Sequence, residues 1–318
     1  MSRKFCVAPM MDRTDRHERF FLRKLSKKAY LYTEMIHINA ILHGDKNKLL
    51  SFNPCEHPLA IQLGGNDPYK ISEAAIISED YGYDEVNLNI GCPSNRVQGG
   101  GFGAVLMKDP KLVSACIKSV RKKIKIPVSV KCRIGVDDMD EYKGLNLFIE
   151  QVSDAGCKIF IIHARKAWLN GLSPKDNRNL PPLNYERVYR VKEEFPDLEI
   201  ILNGGIEEVS GCNAHLEFVD GVMMGRKAYD NPYQMIEVDS LFFGLPKQAK
   251  SRKEIFLDFI PYVMKEISTG EKIHLITRHL MGLSKGIRNA KEVRTHLANL
   301  NTFDEPEENL YQIANQLT

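Results

Sequence analysis

Residues 200–226 read IILNGGIEEVSGCNAHLEFVDGVMMGR. Two short apolar runs lie inside this stretch, IILNGG (200–205) and GVMMGR (221–226), the first closing on Gly204-Gly205 and the second on Gly225-Arg226. Runs this short, continuously apolar and bounded by glycine read as strands buried on both faces. Six similar runs precede them: FCVAPM (5–10), AYLYTEMI (29–36), LAIQL (59–63), EVNLNIG (85–91), VSVKCRIG (128–135) and IFIIHA (159–164). Amphipathic segments such as PYKISEAAIISEDYG and PKLVSACIKSVRKK separate most of them. Asp67-Pro68 and Asp109-Pro110 announce two of these helices, with an N-cap aspartate followed by proline at the first helical position. Eight βα units in about 240 residues predict an α/β fold closed as a (β/α)8 TIM barrel, whose usual size is about 250 residues. The alternative is an open doubly wound sheet. That fold usually places its glycine fingerprint after the first strand, and here the first strand ends in Ala8-Pro9-Met10.

The pattern changes after residue 244. The β-rich runs stop, and KEIFLDFIPYVMKEIS, KIHLITRHLMGLS and AKEVRTHLANL read as helices behind the linker GLPKQAKSRKE. The expected organisation is a barrel over residues 1–244 and a small all-helical domain over residues 245–318.

Bulk composition sets further bounds. The chain has 318 residues, 43% hydrophobic and 27% charged, with a formal net charge of +3. That is ordinary for a soluble globular protein, and no run approaches the roughly 20 apolar residues of a membrane span. The opening MSRKFCVAPMMDRTDR lacks a secretory apolar core. The seven cysteines (6, 55, 92, 116, 132, 157, 212) are scattered and form no C-x-x-C pair. This argues against a disulfide framework or a metal site and for a reducing cytoplasm. With so small a net charge, a polyanionic partner has to be met by a local basic patch.

In a barrel the active site gathers at the C-terminal ends of the strands. There the sequence places Gln62 on strand three, Asn87 and Asn89 on four, His163 on six and Asn203 on seven. On strand five, alternation puts Ser129, Lys131 and Arg133 on one face and Val128, Val130, Cys132 and Ile134 on the other. One polar residue late in an apolar strand is a satisfied core group; several strands doing so together favour a polar ligand at the barrel mouth. Gly204, Gly205, Gly225 and Arg226 follow strands seven and eight, the usual phosphate position of this fold, where bare backbone and a helix N-terminus suit an anion. An amide, an ammonium and an imidazole beside Ala8, Pro9 and Met10 suit a flat heterocycle such as a flavin, with Lys131 set against negative charge on the ring. The glycine-rich GGGFGA (99–104) follows strand four with no acidic residue suitably placed, so it is no dinucleotide fingerprint.

The stretches VAPMMDRTD, AIQLGG, EVNLNIGCPSNRVQGGGFGAVLM, VSVKCRIGVDD, FIIHARKAWLNGLSPKDNR, ILNGGI and VMMGRKAYDNPY span nearly the whole barrel. In them the chain resembles the tRNA-dihydrouridine synthases, most closely their bacterial A subgroup. The resemblance implies an FMN-containing barrel with a helical C-terminal domain that binds tRNA and reduces D-loop uridines to 5,6-dihydrouridine with NADPH. It implies FMN contacts from Ala8, Pro9, Met10, Gln62, Lys131, His163, Asn203, Gly204, Gly205, Gly225 and Arg226. It makes Cys92 the catalytic cysteine and places Asn89 near the substrate base. Lys175, Arg178, Lys291 and Arg294 fall where the subgroup contacts tRNA. No membrane and no protein partner are implied.

Cys92 stands just past a strand end, in NIGCPS, before a loop with three consecutive glycines. A lone cysteine is usually a small buried hydrophobe, a description that fits Cys116, Cys132 and Cys157. For Cys92 the expected role is general acid: a neutral thiol giving its proton to C5 of uracil while hydride reaches C6 from flavin N5. The glycine-rich loop is expected to let it swing over the base. Between Lys272 and Arg294 lie six basic residues and one acid, Glu292, which with the Lys/Arg-rich loop around Trp168 offers a cationic surface for RNA. A flavin barrel acting on a free pyrimidine is the rival reading.

Overall fold

The structure, a computed structural model, describes residues 2–300 and 305–317. All eight expected strands form. They are β1 (Phe5–Val7), β2 (Leu31–His37), β3 (Leu59–Gly64), β4 (Glu85–Asn89), β5 (Val128–Arg133), β6 (Ile159–His163), β7 (Glu199–Asn203) and β8 (Gly221–Met224). Every pairing is parallel, in the order β1-β8-β7-β6-β5-β4-β3-β2. A bridge between Cys6 and Tyr30, with Val7 N–H on Tyr30 O at 2.9 Å, joins β1 to the approach to β2 and closes the barrel. The (β/α)8 expectation holds, and the open sheet is excluded by that closure.

The helices start where side chains cap them. Asp67 accepts from the backbone N–H groups of Tyr69 and Lys70 ahead of helix Pro68–Asp80. Asp109 accepts from Leu112 N ahead of helix Pro110–Arg121. Their inner faces (Ile71, Ala74 and Ala75; Val113, Ile117 and Val120) are buried against the sheet.

Inside the barrel two kinds of lining meet. Cys6, Tyr30, Tyr32, Ala60, Ile161, Ile201 and Met223 form an apolar cluster. Against it stands a polar wedge from β3, β4 and β5: Gln62, Glu85, Asn87 and Ser129, all buried, with Arg3 paired to Glu85 at 2.5 Å at the floor. Burial, and then the charge of Glu85, push the Tyr32 phenol well above its ordinary range. Asn87 is thus a satisfied core group, bonded to Gln62 and Ser129.

Beyond residue 244 the described residues form helices Arg252–Leu257, Ile260–Ser268, Ile273–Thr277, Ala290–Ala298 and Pro306–Asn315. Two expected helices differ in form. KEIFLDFIPYVMKEIS is broken before Pro261, which lacks an N–H and disfavours helical backbone in the residue ahead of it. KIHLITRHLMGLS tightens into a 3-10 turn at Arg278–Ser284. These helices seat against helix Arg16–Leu25: Phe20 stacks on Tyr262 at 3.9 Å, and Asp15 binds Arg278 and His279 at 2.6 and 3.0 Å. No helix among the described residues is long and apolar enough to cross a membrane.

Candidate active site

The C-terminal strand ends surround a cleft with two adjoining lobes, of about 340 and 400 Å3. Pro9, Met10, Lys131, His163, Arg178 and Arg226 line both. The first lobe adds Gln62, Asn89 and Cys92; the second adds Ala8, Asn203, Gly204, Gly205 and Gly225. Thus all eleven residues expected at the cofactor, together with Cys92, Asn89 and Arg178, come together at one mouth. Lys175, Lys291 and Arg294 are exposed and line neither lobe.

Charge in the first lobe is one-sided. Arg13, Lys131, Arg133, Arg178 and Arg226 line it, and no carboxylate does. Lys131 Nζ donates to Asn203 Oδ1 at 2.9 Å, while Asn203 Nδ2 is held by Met223 O at 2.8 Å. Burial, and then the neighbouring Arg133, lower the Lys131 ammonium to about 8. Burial, followed by Arg133 and Lys131, drives His163 well below its ordinary value, so its imidazole is neutral at neutral pH. Arg133 is itself lowered to about 10 by burial. Such a group without a counter-ion is costly to hold and suits an anionic or strongly accepting ligand.

In the second lobe backbone replaces side chain. Gly204 has φ +109°, and a Cβ there would lie 2.5 Å from His163 Cδ2. At Gly225 the nearest atom to such a Cβ is Ala8 Cβ at 3.9 Å, so bare backbone faces open space. The helix dipoles expected at these exits are short: β8 leads into the five-residue helix Arg226–Asp230, and β7 into a 3-10 turn at Cys212–Glu217. What these exits offer an anion is bare glycine backbone and Arg226, because short helices carry little aligned dipole.

The chain around Cys92 is held from several sides. Asn89 Oδ1 accepts from Gly91 N and Cys92 N at 3.2 and 3.0 Å. Arg133 Nε donates to Gly91 O at 3.0 Å, Ala104 N–H to Cys92 O at 2.9 Å, and Gln98 Nε2 to Pro93 O at 2.7 Å. Gln98 also donates to Leu169 O at 3.0 Å, tying this turn to the Trp168 loop. These bonds hold the backbone on either side of Cys92, and the thiol turns about its own χ1. Cys92 Sγ is partly exposed in the cleft, 3.5 Å from Ser94 Oγ. Cys116, Cys132 and Cys157 are buried, as expected of structural thiols.

The family model for dihydrouridine synthase (Dus) matches residues 6–318. The chain belongs to the dihydrouridine synthase family. It is similar to proteins named tRNA-dihydrouridine(20/20a) synthase from Synechocystis sp. PCC 6803 (52% identical over 92% of this chain and 87% of the relative) and Pseudomonas aeruginosa (50%; 94% and 90%). The relative of the same name from Escherichia coli K12 is 50% identical over 93% of this chain and 86% of its own. A solved structure of 2-naphthoyl-CoA reductase with 2-naphthoyl-CoA superposes with a TM-score of 0.54 at 11% identity, covering 74% of this chain. This chain spans about half (49%) of that structure's chain, and the likeness shows the barrel fold alone.

For this dihydrouridine synthase, sequence reasoning passed over several residues of the mouth. Arg133 was legible by alternation, two positions beyond Lys131 on the same face of β5, yet stood outside the expected site. Met35 and Arg13 also line the first lobe, carried by the ends of β2 and the β1 loop. Arg278, one of the six basic residues between Lys272 and Arg294, is tied to Asp15. Lys272, Lys285, Arg288, Lys291 and Arg294 remain exposed.

Proposed function

We propose that this chain reduces D-loop uridines of tRNA, those at positions 20 and 20a named in its relatives, to 5,6-dihydrouridine. FMN is the cofactor and NADPH the reductant. The observation that carries this reading is that Cys92 lines the same cleft as Lys131, His163 and the glycine exits of β7 and β8. The residues fit FMN. Gly204, Gly205, Gly225 and Arg226 suit its phosphate; Lys131, with no carboxylate partner among the described residues, suits the electron-rich edge of its ring; Ala8, Pro9, Met10, Gln62, His163 and Asn203 complete the walls.

When bound, the reduced flavin supplies the hydride that reaches C6 of the base. Cys92 Sγ gives its proton to C5 and recovers one from solvent, so the ring gains two hydrogens and nothing leaves. Asn89 holds the base at the cleft wall. His163 stays neutral, which leaves Lys131 as the charged donor beside the ring. The fixed backbone around Cys92 keeps the thiol in position while the base enters.

The base has to leave its stack to enter the cleft, at a cost of a few kcal/mol. Contacts to the RNA backbone offset that cost. Lys175 and Arg178 on the β6 loop, with Lys291 and Arg294 in a tRNA-binding domain over residues 245–318, supply them; all four are exposed cations. Seven free cysteines fit a reducing cytoplasm. The deciding experiment maps dihydrouridine in tRNA from cells lacking this protein and tests the purified protein on tRNA, uracil and orotate. Loss of dihydrouridine at 20 and 20a with tRNA-dependent flavin oxidation supports the reading. Turnover of the free pyrimidines with none on tRNA overturns it.

A further inference from the structure

A single file of hydrogen bonds joins the barrel floor to the turn that carries Cys92. At its lower end the buried carboxylate of Glu85 accepts from Arg3 Nε at 2.6 Å, from Tyr32 Oη at 3.1 Å and from the Ser129 hydroxyl. Ser129 Oγ accepts from Asn87 Nδ2 at 2.7 Å. Asn87 Oδ1 accepts from Gln62 Nε2 at 2.7 Å, and Gln62 Oε1 from Asn89 Nδ2 at 2.8 Å. Asn89 Oδ1 ends the file on the backbone N–H groups of Cys92 and Gly91, at 3.0 and 3.2 Å.

The two ends fix its direction. A carboxylate bound to arginine only accepts, and a backbone N–H only donates. Between them one orientation of the three amides satisfies every link. Turning any one of them sets donor against donor and acceptor against acceptor, and in a buried file an unmet amide is costly. The consequence reaches the cleft. The oxygen of Asn89 is occupied by Gly91 and Cys92, while its second amide hydrogen has no partner among the described residues. Asn89 therefore presents a donor to the lobe it lines. A donor there matches the carbonyl edge of a uracil and opposes the amino edge of a cytosine.

We propose that Glu85 is a positioning residue for uridine reduction: from the barrel floor it orients Asn89 towards the carbonyl edge of the base and holds the Gly91–Cys92 turn. This rests on the reading of the cleft as a uridine-reducing site. Glu85 touches neither substrate nor cofactor, and Arg3 keeps a second carboxylate, Glu199, at 3.0 Å when Glu85 is neutralised.

The test uses the full-length holoprotein with Glu85→Gln, Ser129→Ala and Ser129→Thr. Ser129→Ala cuts the file one link up and leaves the Arg3–Glu85 pair in place, so it serves even where Glu85→Gln folds poorly. Glu85→Gln breaks the file's fixed direction, since an amide with its oxygen on Arg3 turns a donor to Ser129, and both cutting variants are expected to slow tRNA-driven flavin oxidation about tenfold or more, as small misplacements of reacting groups do. The half-saturating tRNA concentration stays at the wild-type value, and the Gly91 and Cys92 amides exchange hydrogen faster. Ser129→Thr, which keeps the hydroxyl, is expected to return rate and exchange towards wild type. The proposal is overturned if rate and exchange stay at wild type in both cutting variants. It is overturned equally if rate and tRNA affinity fall together and Ser129→Thr restores neither. Should the wild-type protein leave tRNA unreduced, the function above fails by itself, and the exchange measurement still decides whether Glu85 holds the turn.

Discussion

At the scale of single residues, the proposed chemistry is divided between Cys92 and Lys131. The thiol is one rotatable bond away from a fixed backbone, so its replacement removes a proton donor with little else. Cys92→Ala is expected to keep its flavin while tRNA-driven flavin oxidation falls by about 10²–10⁴, the usual share of a positioned acid. Wild-type turnover would rule out the acid role. Lys131 is different, since its ammonium is held at about 8 by burial and then by Arg133. The folded pKa lies below the unfolded one near 10.5, so between these values the unfolded chain binds the extra proton and stability rises with pH. Lys131→Met is therefore expected to raise the melting temperature of the cofactor-free protein most below pH 8, with the gain shrinking up to about pH 10.5. The same change is expected to weaken flavin retention, and wild-type flavin binding is expected to decline as pH passes about 8. A Lys131→Met protein less stable than wild type at pH 7 would contradict this account.

At the scale of elements, the exits of β3 to β8 do most of the work, and they were largely legible beforehand. The eight apolar runs became eight strands because a strand covered on both faces has to be apolar throughout. Asp67 and Asp109 capped their helices because the cap is a local hydrogen bond that four residues suffice to specify. The paired roles of Gln62 and Asn87 were not legible. Both look alike at the end of an apolar strand, and only the partner across the sheet decides which one faces the cleft. The C-terminal helices show the same limit. Gly282 sits where a Cβ would come 2.4 Å from Tyr229 O and 2.7 Å from Pro232 Cδ, so the 3-10 turn docks on the segment after β8 by close backbone approach. Gly282→Ala is expected to destabilise the protein by about 1–3 kcal/mol through overpacking. Thermal melts would read that cost, and tRNA affinity is expected to fall more than flavin content. An unchanged melting temperature would show that the contact opens without strain.

For the whole molecule, the net charge of +3 leaves RNA binding to local groups of cations. The cations proposed to meet RNA lie at the mouth of the barrel and on the C-terminal helices, while Arg3, Arg16 and Arg278 are paired internally with Glu85, Glu266 and Asp15. Binding to tRNA is expected to weaken steeply with salt, and Lys291→Ala and Arg294→Ala are each expected to lower the log–log slope by about one. Fluorescence titrations from low to high salt would test this, and a flat response would remove the cationic platform. The sequence by itself determined the barrel, the strand-end constellation and the candidacy of Cys92, because periodicity, caps and glycine exits are local signals. The tertiary structure alone decided the file from Glu85 to Cys92, the closure through Cys6 and Tyr30, and the loss of Arg278 to Asp15. Those contacts join residues far apart in the chain, such as Arg3 with Glu85 and Asp15 with Arg278, and no local pattern encodes which distant partner a buried polar group will find.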